Sequence, residues 1–127
     1  MLESHCKNFE TLTGIPTRFS VLGGEKQLPV QVEQRAFSIA HNALSNSYRH
    51  AAASQVEVVL EFQDRAVRMA VQDDGRGMDL ASNPAAQGHG LRNMQIAAEE
   101  LGGCLELTSR PNGGTLVVAT VPLEHTS

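Results

Sequence analysis

The sequence is poor in several residue types that would mark a specialised class of protein. It has no tryptophan, one tyrosine and two cysteines among 127 residues. Cys6 and Cys104 lie far apart and outside any CxxC or Cys/His cluster, so we expect reduced thiols and neither a disulfide scaffold nor a zinc finger. With 41% hydrophobic residues, a chain of this length can bury an ordinary apolar core and is expected to fold as one domain.

Basic residues are also in short supply. Ten lysines and arginines stand against 14 aspartates and glutamates, which gives a formal net charge of -4. A protein that holds nucleic acid through the phosphate backbone needs the opposite balance, so nucleic acid is not expected as a partner. A smaller anionic ligand would have to be bound by a local group of hydrogen-bond donors.

Long apolar runs and targeting signals are absent as well. No stretch approaches the roughly 20 apolar residues of a transmembrane helix, and the first residues show no signal-peptide pattern. We therefore predict a cytoplasmic domain, which is compatible with a parent protein that is anchored in a membrane elsewhere.

Three segments have the apolar spacing of amphipathic helices. They cover residues 1–13, 30–53 and 88–101, and the first and last are followed by glycines that can end a helix. The middle segment has no glycine or proline and is expected to be the central helix. Successive residues are about 100° apart around a helix, so its polar side chains form a second stripe. This stripe consists of Arg35, Asn42, Asn46 and Arg49.

Alternating apolar residues predict two β-hairpins. The first covers residues 55–72 with its turn at Gln63 and Asp64, and the second ends with residues 115–121. Helices combined with mostly antiparallel strands predict an α/β (α+β) two-layer sandwich.

Two glycine-rich loops adjoin the predicted elements. Asp73-Asp74-Gly75-Arg76-Gly77 follows a strand, and Gly88-His89-Gly90 opens a helix. Backbone N–H groups and a helix N-terminus favour phosphate oxygens, so these loops are compatible with a nucleotide site. Neither loop has the Walker or the dinucleotide-binding sequence pattern, and glycine-rich turns with a purely structural role have similar sequences. The ordered set of segments is more specific than either loop alone.

In that order, the segments resemble the sequence boxes of a known family. Asn42-Ala43-Leu44-Ser45-Asn46-Ser47-Tyr48-Arg49-His50-Ala51 is similar to the N box of histidine-kinase ATPase domains, and residues 73–77 resemble their G1 box. Residues 88–94, 101–103 and 113–115 resemble the G2 region and the ending of sensor kinases of the nitrate-sensor (NarX-like) and DesK-like branch. The chain thus resembles the ATP-binding catalytic domain of a bacterial two-component sensor histidine kinase, in the superfamily of gyrase, Hsp90, histidine kinases and MutL.

The resemblance implies a Bergerat-type fold, with a mixed and mostly antiparallel sheet and with ATP bound between helices and sheet. It implies that Asp73 accepts a hydrogen bond from the adenine amino group, that Thr115 supports Asp73, and that Asn46 holds Mg²⁺. The other ATP-binding residues that it implies are Arg49, His50, Gly75, Gly77, Gly88, His89, Gly90 and Leu91.

Asn42 departs from this branch, in which the N box usually begins with glutamate. The wider histidine-kinase family often has asparagine there, so we predict Asn42 as the catalytic position and as a second Mg²⁺ ligand. An amide can coordinate a metal ion or orient water but cannot accept a proton near neutral pH. The alternative is a nucleotide-binding pseudokinase, or an anti-sigma-kinase-like regulatory module, whose N box has the same His-Ala ending.

A phosphoacceptor histidine is also lacking. The histidines at positions 5, 41, 50, 89 and 125 are outside the H-[DE] context, and His5, His41 and His125 are interpreted as surface residues. The resemblance implies that the γ-phosphate of ATP passes to a histidine on a separate dimerisation domain and then to a response regulator. We expect residues 1–13 to be a junction helix toward that domain and residues 14–127 to be the single ATP-binding domain, itself monomeric within a homodimeric parent kinase.

Overall fold

The computed structural model describes residues 2–24, 28–49, 54–75, 88–109 and 114–123. The helices and strands of these ranges are, in chain order, α1 (Leu2–Thr13), β1 (Thr17–Leu22), α2 (Val30–Arg49), β2 (Val56–Phe62), β3 (Ala66–Asp73), α3 (Gly88–Glu100), β4 (Cys104–Ser109) and β5 (Thr115–Pro122). All the predicted helices and both predicted hairpins occur there. The end of the predicted central helix, residues 50–53, lies outside the described residues.

The described strands form one mixed sheet in the order β1-β2-β3-β5-β4. β1 and β2 run parallel, because α2 carries the chain back between them. The pairs β2–β3, β3–β5 and β4–β5 are antiparallel. Since α2 packs on β2, β3 and β5, helices cover one face of the sheet. The predicted two-layer fold with a mostly antiparallel sheet is confirmed.

Side chains alternate between this covered face and an outer face. In β2, Val56 and Val58 are buried whereas Glu57 between them is exposed. On the outer face Arg68 of β3 forms an ion pair with Glu61 of β2 at 3.8 Å. Both side chains are more than a third exposed, so this pair contributes less than about 1 kcal/mol. The buried side chains of the covered face therefore stabilise the fold more than this ion pair on the outer face does.

α2 and α3 supply the three largest of the fully buried side chains in the part of the chain that the structure describes. Ile39 and Leu44 of α2, Met94 of α3 and Val58 of β2 are at most 1% exposed. Burial of one such side chain contributes roughly 1.5–3 kcal/mol. In the ranges described, no helix has both the length and the apolar character needed to cross a bilayer.

α1 packs against β1 and α2 through one apolar face. Leu2, Cys6 and Phe9, which recur at helical spacing, are the buried residues of that face. The helix ends at Thr13, and the N–H of the next residue, Gly14, donates to the carbonyl oxygen of Glu10 at 2.8 Å. α1 thus adds to the core of the domain, and its role as a junction helix stays a prediction.

The loop between β2 and β3 consists of Gln63, Asp64 and Arg65, because β2 ends at Phe62 and β3 begins at Ala66. Across this loop the backbone N–H of Gln63 donates to the carbonyl oxygen of Ala66 at 2.8 Å. Both residues of the predicted turn, Gln63 and Asp64, lie in the loop, so the prediction is confirmed.

The two cysteines are free thiols in different surroundings, Cys6 being buried and Cys104 exposed. Burial raises the pKa of the Cys6 thiol to about 11, and the charge of Glu3 is a smaller cause in the same direction. Cys6 is therefore an inert core residue at neutral pH.

Candidate functional site

A buried carboxylate lies at the end of β3. Asp73 is 7% exposed, and its Cα pairs with Val56 of β2 on one side and with Thr115 of β5 on the other. Asp73 has the same parity in the strand as buried Val71, so it points to the face that the helices cover. A buried charge is costly unless it is hydrogen-bonded, and its partners therefore decide whether it can persist.

Two backbone N–H groups hold this carboxylate. Oδ1 of Asp73 accepts hydrogen bonds from the N–H of Gly75 at 3.0 Å and from the N–H of Thr115 at 3.2 Å. One donor belongs to the loop that follows Asp73 and the other to the neighbouring strand, so the carboxylate is oriented from two sides. A carboxylate has about four lone-pair sites and only accepts hydrogen bonds while it is ionised. The end of β3 therefore carries a fixed acceptor.

Gly114 lets β5 approach Asp73 closely. A Cβ atom on Gly114 would lie 2.3 Å from the carbonyl oxygen of Asp73, and the φ angle of +81° is in the left-handed region that favours glycine. Thr115, the next residue, is only 8% exposed and carries the N–H that reaches the carboxylate. The role of Gly114 in placing this donor could not be read from the sequence, because it depends on which strands are neighbours.

Asp74 has a different task from Asp73. It is exposed, and its carboxylate accepts hydrogen bonds from the N–H of Ser54 at 2.8 Å, from the Ser54 hydroxyl, and from the N–H of Gln55 at 3.0 Å. The hydrogen bond from the Ser54 hydroxyl, followed by that from the Gln55 N–H, lowers the pKa of Asp74. Asp74 thus fastens the start of β2 to the end of β3 on the outside of the domain.

Asn42 belongs to the polar stripe of α2, and the structure describes its side chain. This side chain is half-buried, and its Nδ2 donates to the carbonyl oxygen of Ser38 at 2.9 Å. The nitrogen is thereby engaged by the helix, and the amide oxygen is a hard donor of the kind that Mg²⁺ prefers. Asn46 lies one turn further along α2 and Arg49 is its last residue. The side chains of Asn46 and Arg49 lie outside the described part of the chain, so their roles stay predictions.

Gly88, His89, Gly90 and Leu91 form the first turn of α3. The first N–H groups of a helix have no partner within it and lie at the positive end of its dipole, which suits a phosphate group. Arg35 of α2 and Glu100 of α3 form an ion pair at 2.5 Å, which joins the two helices at the far end of α3. The structure describes the backbone of the four predicted residues and not their side chains.

Of the predicted ATP-binding residues, the structure brings Asp73, Gly75 and Thr115 together. His50 and Gly77 lie outside the described residues. Within the ranges described, no group of three or more His, Cys, Asp or Glu side chains could hold a metal ion. The predicted Mg²⁺ ligands are amides, whose oxygens suit that ion without such a group.

A cleft of about 570 Å³ opens at the same end of the sheet. Its lining includes Arg18, Glu57 and Gln72, which are neighbours across three strands and are all exposed on the outer face. These exposed strand residues lie on the opposite side of the sheet from α2 and α3. We therefore do not assign the cleft to the nucleotide, although Asp73 and Asp74 also line it.

Sequence reasoning missed a contact between two histidines. The sequence predicts His5 of α1 and His41 of α2 as surface residues and gives no sign that Nδ1 of His41 lies 3.3 Å from Nε2 of His5. Burial, followed by the charge of His41, lowers the pKa of His5. The 36 positions between the two residues leave no signal of this contact in the sequence.

Comparison with known proteins identifies the family. Residues 31–125, which include Asp73, Thr115 and all of α2 after Val30, match the family described as histidine kinase-, DNA gyrase B-, and HSP90-like ATPase. The chain belongs to this ATPase family. The matched range contains residues 42–49 of the N box, which lie on α2, and the first turn of α3, where the G2 region begins.

The ATPase domain is similar to several sensor histidine kinases. It is 32% identical over 122 residues to the signal transduction histidine-protein kinase/phosphatase DegS of Brevibacillus brevis, covering 96% of this chain and 31% of that protein. It is 37% identical over 92 residues to the sensor histidine kinase LiaS of Bacillus subtilis, covering 72% of this chain and 25% of that protein. The resemblance to sensor kinases is confirmed, and the chain spans less than a third of either relative.

Solved structures support the fold of this ATPase domain. The blue-light activated histidine kinase of Erythrobacter litoralis EL346 superposes with a TM-score of 0.79 at 24% identity, over 99% of this chain and 45% of that one. The histidine kinase AdeS of Acinetobacter baumannii gives a TM-score of 0.74 at 10% identity, over 96% of this chain and 61% of that one. At these identities the similarity concerns the fold alone.

Proposed function

We propose that this ATPase domain is the catalytic domain of a sensor histidine kinase. It binds ATP with Mg²⁺ and presents the γ-phosphate to a histidine on a separate dimerisation domain, from which a response regulator takes the phosphoryl group. The observation that carries this proposal is the buried Asp73 carboxylate, held by the N–H groups of Gly75 and Thr115. Because the reaction uses ATP as the phosphoryl donor and a response regulator as the final acceptor, we assign it to the cytoplasm.

Asp73 would recognise the adenine base. An ionised carboxylate only accepts hydrogen bonds, and adenine offers an exocyclic amino group as a donor. Guanine has an oxygen at the equivalent position. This oxygen and the carboxylate are both acceptors, so they could not form a hydrogen bond. The two backbone N–H groups keep Asp73 from turning away, so the base is read by a group that is already oriented before binding. Gly75 and Gly77 would leave space for the base beside this carboxylate.

The phosphates would lie against the start of α3. Its first turn, Gly88 to Leu91, offers backbone N–H groups and the positive end of the helix dipole. Arg49 and His50, at the end of the predicted N box, would add positive charge, which suits a domain with a formal net charge of -4 that has no broad basic surface. ATP would thus be held by a few local donors.

Mg²⁺ would be held by the amide oxygens of Asn46 and Asn42. When bound, the ion neutralises charge on the phosphate oxygens and orients them for transfer. The part played by the chain itself is to hold two amide oxygens on one side of α2. The hydrogen bond from Asn42 Nδ2 to Ser38 helps in this, because it fixes which end of the amide faces the helix.

Replacing Asn46 with alanine should remove most of the effect of Mg²⁺ on ATP affinity. We expect ATP to bind the Asn46→Ala variant in Mg²⁺ at least about tenfold more weakly than wild type, which corresponds to ~1.4 kcal/mol. In EDTA the two proteins should differ little. Calorimetric titration with and without Mg²⁺ measures both quantities. Gln34→Ala, which removes an exposed amide from the same helix, should behave as wild type; equal Mg²⁺ dependence in Asn46→Ala would contradict the assignment.

The catalytic claim is tested with the domain, its own dimerisation hairpin and labelled ATP. We expect label to appear on the hairpin histidine. A histidine acceptor does not need a carboxylate base in this domain, so Asn42 is compatible with transfer if its amide orients metal or water. No transfer by wild type, but transfer by Asn42→Glu, would instead favour the pseudokinase. Gln34→Glu adds the same charge to an exposed position of α2 and should leave transfer unchanged.

A further inference from the structure

His5 and His41 meet where α1 crosses α2. Nε2 of His5 and Nδ1 of His41 are 3.3 Å apart, and the ring of Phe37 packs on His5 with a centroid distance of 4.6 Å. Phe37 and His41 are one turn apart on α2, so the helix presents an apolar ring and an imidazole to the same partner. The contact joins a helix of the N-terminal segment to the helix that carries Asn42 and Asn46.

The spacing of the two nitrogens is that of two ligands of one metal ion. Imidazole nitrogens bind Zn²⁺ at about 2.0–2.1 Å, and two such ligands at a tetrahedral angle are about 3.3 Å apart. The rings are tilted by 38° with centroids 5.2 Å apart, so their edges face each other and they are not stacked. Burial and His41 both lower the pKa of His5, which favours the neutral imidazole that metals require.

We propose that Nε2 of His5 and Nδ1 of His41 form a two-histidine site for Zn²⁺ that bridges α1 and α2. Imidazole suits Zn²⁺, whereas Mg²⁺ prefers oxygen ligands, so this site is chemically distinct from the predicted nucleotide metal. Water completes the coordination, since no third His, Cys, Asp or Glu joins the pair among the residues that the structure describes. His41 is exposed and leaves room for that water.

Binding requires a change of tautomer and no net loss of protons from the neutral pair. Without metal, one ring of the pair donates an N–H to the other. With Zn²⁺ bound, both facing nitrogens are unprotonated, so His5 carries its proton on Nδ1 and His41 on Nε2. The ion then fastens α1 to α2, in addition to the apolar contacts of Leu2, Cys6 and Phe9.

Other ligands of Zn²⁺ have to be removed before the site can be tested. Cys104 is an exposed thiol and would bind the ion by itself, whereas Cys6 is buried with a pKa of about 11 and is a poor ligand. The 127-residue chain with Cys104→Ser is therefore the reference protein. His5→Gln and His41→Gln each remove one ligand and keep a polar side chain, and His125→Gln is the same change at a histidine outside the pair.

Zn²⁺ is titrated into the four proteins, and both affinity and melting temperature are measured with Mg²⁺ as the control ion. We expect one Zn²⁺ per reference chain, a higher melting temperature with Zn²⁺ but not with Mg²⁺, and at least about tenfold weaker binding in His5→Gln and in His41→Gln, but not in His125→Gln. Equal affinity in all four proteins, or no binding at about 0.1 mM Zn²⁺, would overturn the proposal.

A second measurement does not depend on the variants folding. Nitrogen NMR of the imidazoles in the reference chain should show Zn²⁺ shifting Nε2 of His5 and Nδ1 of His41 together. Shifts confined to the other histidines would overturn the proposal even if Zn²⁺ binds.

Discussion

The Asp73→Asn variant should bind ATP roughly ten- to hundredfold more weakly than wild type while it keeps the fold. The N–H groups of Gly75 and Thr115 both need an acceptor, so the amide oxygen of asparagine will take the place of Oδ1. The amide NH₂ group then occupies the position of the other carboxylate oxygen. This NH₂ group would face the amino group of adenine, and because both groups are donors they could not form a hydrogen bond. A buried donor without a partner costs about 1–3 kcal/mol. Calorimetry with ATP and GTP should show weaker ATP binding and a reduced preference for ATP.

Asp74→Asn is the matched control for this variant. It makes the same chemical change one residue later, at an exposed carboxylate whose partners are Ser54 and Gln55. We expect its ATP affinity to stay within a few-fold of wild type, since these partners lie at the start of β2 and outside the proposed pocket. Equal ATP affinities of Asp73→Asn and wild type would refute the recognition of adenine by Asp73, even if the domain proved to bind ATP.

The Gly114→Ala variant should lose both stability and nucleotide affinity. Alanine pays about 1–2 kcal/mol for the left-handed backbone, and its Cβ would be 2.3 Å from the carbonyl oxygen of Asp73. β5 must shift away from β3, which pulls the N–H of Thr115 from the carboxylate. We expect a total loss of about 2–4 kcal/mol and a melting temperature lower by roughly 10 °C. Thermal and urea unfolding measure the loss, and calorimetry at a temperature where the variant is folded measures ATP affinity.

Gly14→Ala separates the two causes. Gly14 has a φ angle of +76°, and an added Cβ would meet nothing within 4 Å. Alanine at this position is destabilised by the backbone conformation alone. We therefore expect the free energy of unfolding to fall by about 1–2 kcal/mol and the ATP affinity to stay unchanged. If the two variants proved equally stable and bound ATP equally well, the close approach of β5 to Asp73 would have no energetic importance.

Local pattern was sufficient for the elements of this domain. The stretch that forms α2 has no glycine or proline and carries a broad apolar stripe, and the structure buries Ala36, Ile39, Ala40 and Leu44 from it. The alternation of β2 and β3 likewise predicts which side chains face the core. These features depend on residues close together in the sequence, where helix and strand periods differ clearly.

Pairing between distant segments could not be predicted in the same way. Nothing in the residues of β1 shows that it lies parallel to β2, because the pairing depends on the crossover through α2. The same holds for two other contacts, the close approach of Gly114 to Asp73 and the contact of His5 with His41. Each joins elements that the fold brings together, and each residue taken alone has an ordinary local explanation.

For the candidate site, the residues came from family resemblance and the physical reasons came from the structure. The sequence boxes single out Asp73 and Thr115, and the structure shows the backbone N–H of Thr115 donating to the Asp73 carboxylate. For Asp74 the structure supplies the explanation directly, since its carboxylate holds Ser54 and Gln55. The roles of Asn46, Arg49, His50 and the first turn of α3 remain predictions that depend on ATP binding.

The bond from Thr115 to Asp73 also bears on how the domain folds. It joins residues 42 positions apart, whereas the strands of the β2–β3 hairpin are separated by the three residues 63–65. Long-range pairing is slow because a large loop must be closed before any contact forms. During synthesis Asp73 is therefore added to the chain 42 positions before its donor on β5. A chain interrupted before β5 would lack the Thr115 donor to Asp73. If Asp73 binds adenine as proposed, we expect ATP to stabilise the domain fully only once its last strand is in place.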